Sequence, residues 1–228
     1  MRAKVQLRGW LIMKLRIASL SLLTLCMMLA AVPAMAQTFY SNGPTNGNTD
    51  AWTVNFGFVV SDTFTSNSPN SFITGVTFAT WLAPGDVLDT AEVSITSSEN
   101  GGTSYFDQTV SFTQSGCVGN QYGYNVCNET GTFSAFLPAA GTYWLNIQNA
   151  SSASGDPVYW DENSGPSSAS ENSVGTIPSE SFTILGSCED GPCASTTTTT
   201  GTTPEPSSIM LFASGILGMA GAMRRKLL

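Results

Sequence analysis

Through the middle of the chain apolar residues recur at every second position. Trp52, Val54, Phe56, Phe58 and Val60 alternate with Thr53, Asn55 and Gly57. Val76, Phe78 and Leu82 keep the same period, as do Ala91, Val93 and Ile95. Phe106, Val110 and Phe112 follow, then Tyr122, Tyr124 and Val126, then Phe133, Ala135 and Leu137. Tyr143, Leu145 and Ile147 continue the series, and Phe182 and Ile184 close it. A period of two sends successive side chains to opposite faces, so each group predicts a half-buried strand. Turn signals such as Asn-Gly-Pro, Pro-Gly-Asp and Asn-Gly-Gly separate the groups. Many short strands of this kind predict an all-β fold, a single antiparallel β-sandwich over residues 37–194. No stretch of that span has the apolar period of a helix. Residues 151–156 and 164–178 are rich in small residues and read as surface loops.

The two ends break this pattern. Arg2, Lys4, Arg8, Lys14 and Arg16 precede an apolar run over residues 17–32, and Ala34-Met35-Ala36 follows. That order predicts a signal peptide over residues 1–36, with Gln37 as the mature N-terminus. Met13-Lys14-Leu15-Arg16 alone would suffice as its basic start. At the other end, residues 195–203 form a Thr-rich linker. Pro204-Glu205-Pro206 then opens a tail whose residues 207–223 carry no charge and whose next three are Arg224, Arg225 and Lys226. As a helix, the uncharged run spans about 25 Å, just short of a bilayer core of ~30 Å. The basic end stays cytoplasmic and leaves the rest of the chain outside. Gly215, Gly218 and Gly221 weaken such a helix, which suits a transient transmembrane segment as well as a permanent anchor.

Charge sharpens the division. All eight Lys and Arg residues lie in the two ends, and between Gln37 and Thr203 there is no Lys, Arg or His. The same span holds 15 of the 16 acids. A region with no cation cannot neutralise phosphates, so a nucleic-acid partner is excluded. Its carboxylates must be solvated, hydrogen-bonded or metal-bound. Without His or Lys, nucleophile–base pairs of the Ser-His, Cys-His and Ser-Lys kinds and lysine-bearing phosphate loops drop out. Paired carboxylates are the catalytic chemistry that remains. Asp161 and Glu162 are adjacent and, on a strand, face opposite ways; Asp86, Asp89 and Glu92 lie around one turn. A carboxylate-based glycan hydrolase is therefore the alternative to a non-enzymatic protein with no catalytic residues.

Three further groups carry chemistry. Outside the signal peptide the cysteines fall as two close pairs, Cys117/Cys127 and Cys188/Cys193. Four cysteines allow three pairings; the local one is expected, because each pair brackets a glycine-containing turn and export permits disulfides. Asp161 and Asn163, followed by Gly165, offer oxygen ligands for Ca²⁺ without the full EF-hand pattern. Trp81, Trp144 and Trp160, with Asn163 nearby in sequence, are candidates for a sugar-binding face, where a ring stacks on C–H groups and amides meet hydroxyls. The competing reading places those rings in the core.

The tail resembles the PEP-CTERM sorting signal: Pro204, Glu205 and Pro206, a short glycine-rich apolar segment, then Arg224, Arg225 and Lys226, in that order at the C-terminus. The resemblance covers about a tenth of the chain. It implies export through the secretion machinery, recognition near Pro-Glu-Pro by a membrane-embedded exosortase, and delivery of an inner-membrane precursor to the cell surface or exopolysaccharide matrix of a Gram-negative-type bacterium. Such tails also occur on some proteins named as ice-binding. Ice binding is thus a minor alternative, without the regular Thr-x-Thr array a flat ice face needs. The stretch from Leu137 to Leu145, with Ala140-Gly141-Thr142-Tyr143, is similar to a turn and strand of extracellular bacterial jelly-roll modules, which implies a jelly-roll-like sandwich. Residues 155–166 and the Trp-Leu-x-Pro-Gly-Asp element at residues 81–86 resemble segments shared by a group of PEP-CTERM proteins, and imply no activity.

Overall fold

The computed structural model describes residues 37–188. The expected signal peptide, Cys193, the Thr-rich linker and the whole tail, including the helix over residues 207–223 and Pro204, Glu205, Pro206, Arg224, Arg225 and Lys226, lie outside the described residues.

Within them the fold is all-β and antiparallel, with no helix among the described residues. Twelve strands follow in order: β1 (Thr38–Ser41), β2 (Ala51–Thr53), β3 (Val59–Ser66), β4 (Ser71–Leu82), β5 (Leu88–Ser98), β6 (Gly101–Gly119), β7 (Asn125–Leu137), β8 (Gly141–Ser152), β9 (Tyr159–Asp161), β10 (Ala169–Glu171), β11 (Gly175–Ile177) and β12 (Phe182–Cys188). They form one continuous sheet in the order β1-β12-β4-β7-β6-β5-β8-β3-β10-β11, with β9 pairing β2 and β4.

The sheet is not cut into two separate layers, as a simple sandwich would be. It curls. The first part of β6, Gly101 to Ser111, pairs with β5, and the second, from Phe112 on, pairs with β7. Two glycines let the backbones crowd at this handover. A side chain at Gly131 would strike Phe112 and Val110, and one at Gly75 would strike the Gly131 carbonyl. The curl brings Tyr40 of β1 against Phe64 of β3, with ring centroids 6.1 Å apart. Both halves feed one core, in which Val60, Phe64, Leu145 and Ile147 meet Ile73, Phe78, Leu137 and Ile184. Trp160 packs edge-on against Phe78 and Phe182 at 5.6 and 5.7 Å.

Three expectations are corrected. The alternating run from Trp52 to Val60 is not one strand, because a turn breaks it. Phe56 and Gly57 have φ of 56° and 93°, and Phe58 N–H bonds back to the Asn55 carbonyl at 3.1 Å. Phe56 is 67 % exposed, so its apolar position marks no core face. Tyr122 and Tyr124 precede β7 in a second turn, held by Asn120, whose side-chain oxygen accepts both their N–H groups at 3.0 Å. Residues 164–178 are not simply a loop, since β10 and β11 form a hairpin added to the edge of β3. Ladder bonds come from the backbone, so a Ser- and Gly-rich stretch can pair without an apolar signature.

Candidate functional site

The loop of residues 42–50 lies over the outer side of β4 and β9, and Asp161 fastens it there. Asp161 is fully buried. Its carboxylate accepts the backbone N–H groups of Asn46 and Gly47, both at 2.7 Å, and the indole N–H of Trp81 at 2.6 Å. Burial pushes its carboxyl above the ordinary range, and these donors pull it back. Trp81 is thereby fixed edge-in, buried on an outward-facing position of β4. Tyr122 stacks on it at 5.4 Å with 21° between the planes, and Tyr124 lies 6.0 Å away. Tyr159 of β9, paired with Trp81, meets Tyr124 edge-on at 5.5 Å. These four rings, with Thr49, Asp50 and Ala51, line an open hollow of about 320 Å³. The Tyr122 hydroxyl donates to the Asn48 carbonyl at 3.3 Å, so the hollow's wall is tied to the fastened loop.

Beside it, a second hollow of about 270 Å³ runs between Thr45, Asn46, Asn48 and the Asn120, Val126 and Asn128 side. Together the two present aromatic planes next to amides and a hydroxyl, with Asp50 as the carboxylate. Such a surface can stack apolar ring faces and exchange hydrogen bonds.

A second cluster is closed to solvent. Asp62, Glu162 and Glu180 gather at one end of the core, where Glu162 and Glu180 face each other across an isolated antiparallel bridge. Residues directly opposite share a face of the sheet. Asp62 accepts the Glu180 N–H at 2.8 Å and an Asn42 amide N–H at 3.2 Å. Burial pushes the Asp62 carboxyl up to about 6, against bonds from Ser167, Glu180 and Thr63 that lower it. Both carboxyl oxygens of Glu180 are buried without a hydrogen-bond partner. Burial, then the charges of Asp62, Glu162, Asp161 and Asp50, push it well above the ordinary range. Glu129 is a separate case. It is buried beside Thr80 and Gln114, which each donate to one oxygen at 3.1 Å, while the other oxygen is unpartnered.

A protein-family profile described as the PEP-CTERM protein-sorting motif matches residues 202–226. The chain carries a PEP-CTERM sorting signal. That signal implies export, membrane-anchored sorting toward the cell surface, and processing by an exosortase, which is a membrane protein. No curated protein and no solved structure matches the chain.

In this chain the two stretches 81–86 and 155–166 meet in space. Trp81 pairs with Tyr159 and bonds Asp161, while Asp86 accepts the N–H of Ser154 at 3.0 Å. Burial tends to raise the Asp86 carboxyl, but bonds from Ser154, Ser152 and Val87 outweigh it and leave it lowered. Asp86 is thus a loop clasp. Glu92 bonds Gln148 and Asn149 instead, at 2.8 and 2.7 Å, so it shares no partner with Asp86.

Other expected site residues fare unevenly. Trp160 is wholly buried, with its indole N–H on the Ser181 carbonyl at 2.9 Å, so it has no face for a sugar. Strand alternation explains this, because Trp160 falls in phase with the core side of β9. Trp144 sits on the outer side of β8, half-buried, between Thr63 of β3 and Thr96 of β5. Asn163 borders a hollow of about 390 Å³ with Pro44 and Pro166. Its amide is already spent on the Asn42 and Pro44 carbonyls at 2.9 and 3.2 Å, and its oxygen on Gly165 N–H at 2.9 Å. The oxygens of Asp161 and Asn163, expected as Ca²⁺ ligands, receive N–H donors here. Among the described residues no three Asp, Glu, His or Cys side chains are arranged to hold a metal ion.

Cys117 and Cys127 form the expected disulfide, joining the ends of β6 and β7. Cys188 is also disulfide-bonded. Tyr122 and Tyr124 were not expected to share the hollow with Tyr159 and Trp81, because these come from three separate stretches. The interior acids did leave a signal: Asp62 is in phase with Val60 and Phe64, and Glu180 with Phe182 and Ile184.

Proposed function

We propose that this is a non-enzymatic protein of the bacterial cell surface or exopolysaccharide matrix, released or transferred there by an exosortase, whose β-domain holds polysaccharide in the hollow beside Trp81. The sorting signal supports the destination. The hollow supports the ligand: four rings, a hydroxyl and a carboxylate converge there and remain open, with amides lining the hollow beside it. Aromatic planes are suited to the C–H faces of pyranose rings. The all-antiparallel order of the curled sheet supports reading the domain as a jelly-roll-like module. A non-enzymatic role is favoured because the clustered carboxyl groups of Asp62, Glu162 and Glu180 belong to buried residues.

A glycan array probed with the domain of residues 37–194 tests the ligand. Binding to at least one polysaccharide, weakened by Tyr122→Ala, supports the reading; no binding to any glycan, the host's own matrix included, removes it. The destination has its own test. Replacing Pro204, Glu205 and Pro206 by alanine is expected to hold the protein in the membrane fraction, and unchanged release would contradict sorting by an exosortase.

A further inference from the structure

The walls and the floor of the hollow differ in what they attract. Its rings present the negative faces of their π-systems, and Asp50 adds a carboxylate at the rim. Behind it stand more acids: Asp161 bonds Trp81, and Glu162 donates its backbone N–H to the Asp50 carbonyl at 3.0 Å. The span from Gln37 to Thr203 supplies no Lys, Arg or His to balance them. An acidic glycan would find no cation of that span to neutralise it here. Aromatic faces attract cations, most strongly when partly desolvated, and a neighbouring carboxylate adds a direct charge partner.

We propose that the hollow of Trp81, Tyr122, Tyr124, Tyr159 and Asp50 takes a protonated amino group carried on a saccharide, an amino-sugar unit with its nitrogen free. The inference rests on the glycan-binding reading and narrows it to one substrate class. The ammonium lies over the exposed Tyr122 ring, which is 54 % accessible, within reach of Asp50, while the sugar ring lies along Tyr159 and the Asn48 loop. Uronate and sulfated polymers are repelled by the same charges that favour the amine.

Calorimetric titration of the domain with glucosamine oligosaccharides, their N-acetylated counterparts and uronate oligosaccharides tests this. The free-amine oligomer is expected to bind, the N-acetylated one roughly tenfold more weakly or worse, and the uronate not at all. Tyr122→Ala is expected to weaken the free-amine oligomer roughly 5- to 30-fold. Asp50→Asn is expected to weaken it roughly 3- to 10-fold and to leave the N-acetylated oligomer unchanged. Both positions are exposed, so the variants keep the fold, which a circular dichroism melt checks. Equal affinity for free and acetylated amines would overturn the proposal and leave glycan binding standing. No affinity for any of the three, joined to a blank glycan array, would remove both. Free-amine binding that Tyr122→Ala does not weaken would be diffuse attraction to an acidic surface, and would also overturn it.

Discussion

Glu180 sits in the core with no partner for either oxygen and with Asp62 and Glu162 as its charged neighbours. An ionised carboxylate there would carry the full cost of desolvation, so the side chain is held as the neutral acid. The sign of the resulting pH dependence follows. Glu180, Glu162, Asp161, Glu129 and Asp62 all have carboxyls raised in the folded state, Asp62 to about 6. Their contribution is fully present below the unfolded value of ~4 and is lost as pH rises through the folded one. Asp86 acts in the opposite sense, as a single group. The domain is therefore expected to melt at a higher temperature near pH 4.5 than near pH 8, the reverse of ordinary acid denaturation. Calorimetry across that range checks it, and a maximum at pH 8 would contradict it. Glu180→Gln, which fixes the neutral form, is expected to stabilise the domain at pH 8 by about 1–3 kcal/mol. It should change little at pH 4.5, where the native acid already holds its proton. These interior acids were legible in part, since an acid in phase with core positions is a visible anomaly. Their convergence was not, because β3 and β12 are far apart in the chain.

Among the elements, the turn between β2 and β3 shows how pattern reading fails. Phe56 and Phe58 keep an apparent period of two straight through a reversal, because their apolar side chains belong to an exposed loop tip. Phe56 is held at φ of 56°, a region that bulky side chains adopt at a cost. Phe56→Asn would give the Asn-Gly pair favoured in tight hairpin turns. It is expected to raise stability by about 0.5–1 kcal/mol, measured by urea unfolding; a loss would show that the Phe56 ring has a packing role. The β4, β5 and β8 strands were readable because each lies between a wet face and the core. The β10–β11 hairpin was hidden because only its backbone makes the ladder. At the far ends of β6 and β7, the Cys117–Cys127 bond closes a sequence separation of 10. Replacing both cysteines by serine is expected to cost about 2–3 kcal/mol in the chain-entropy model. The β-sheet circular dichroism should survive at room temperature, since the core is elsewhere.

For the molecule as a whole, the absence of internal cations is the governing fact. Like charges repel across the entire surface, and neighbouring oppositely charged groups cannot relieve them. Raising salt from a few millimolar to physiological strength is expected to raise the melting temperature, since the Debye length shrinks to about 8 Å and screens that repulsion. An unchanged melting point would mean that the surface carboxylates are too dispersed to interact. The sorting signal was the most legible property of all, because it is a local, ordered string of residues. The hollow beside Trp81 was the least legible, being assembled from four separate stretches of the chain.

The curl also decides how the domain would bear a mechanical load. Cys188, where β12 ends, lies opposite Ser71 at the start of β4, whereas Trp81 stands ten residues further along the same strand. A pull between Trp81 and the C-terminal end of β12 thus runs along the strand axes over about 33 Å. In that direction the ladder between β4 and β12 is sheared, so its bonds resist together. A pull between Thr38 and Cys188 acts differently: Thr38 lies directly opposite Leu185, and the edge strand β1 would peel away one bond at a time. The same sheet is strong toward a load applied at Trp81 and weak toward one applied at Thr38.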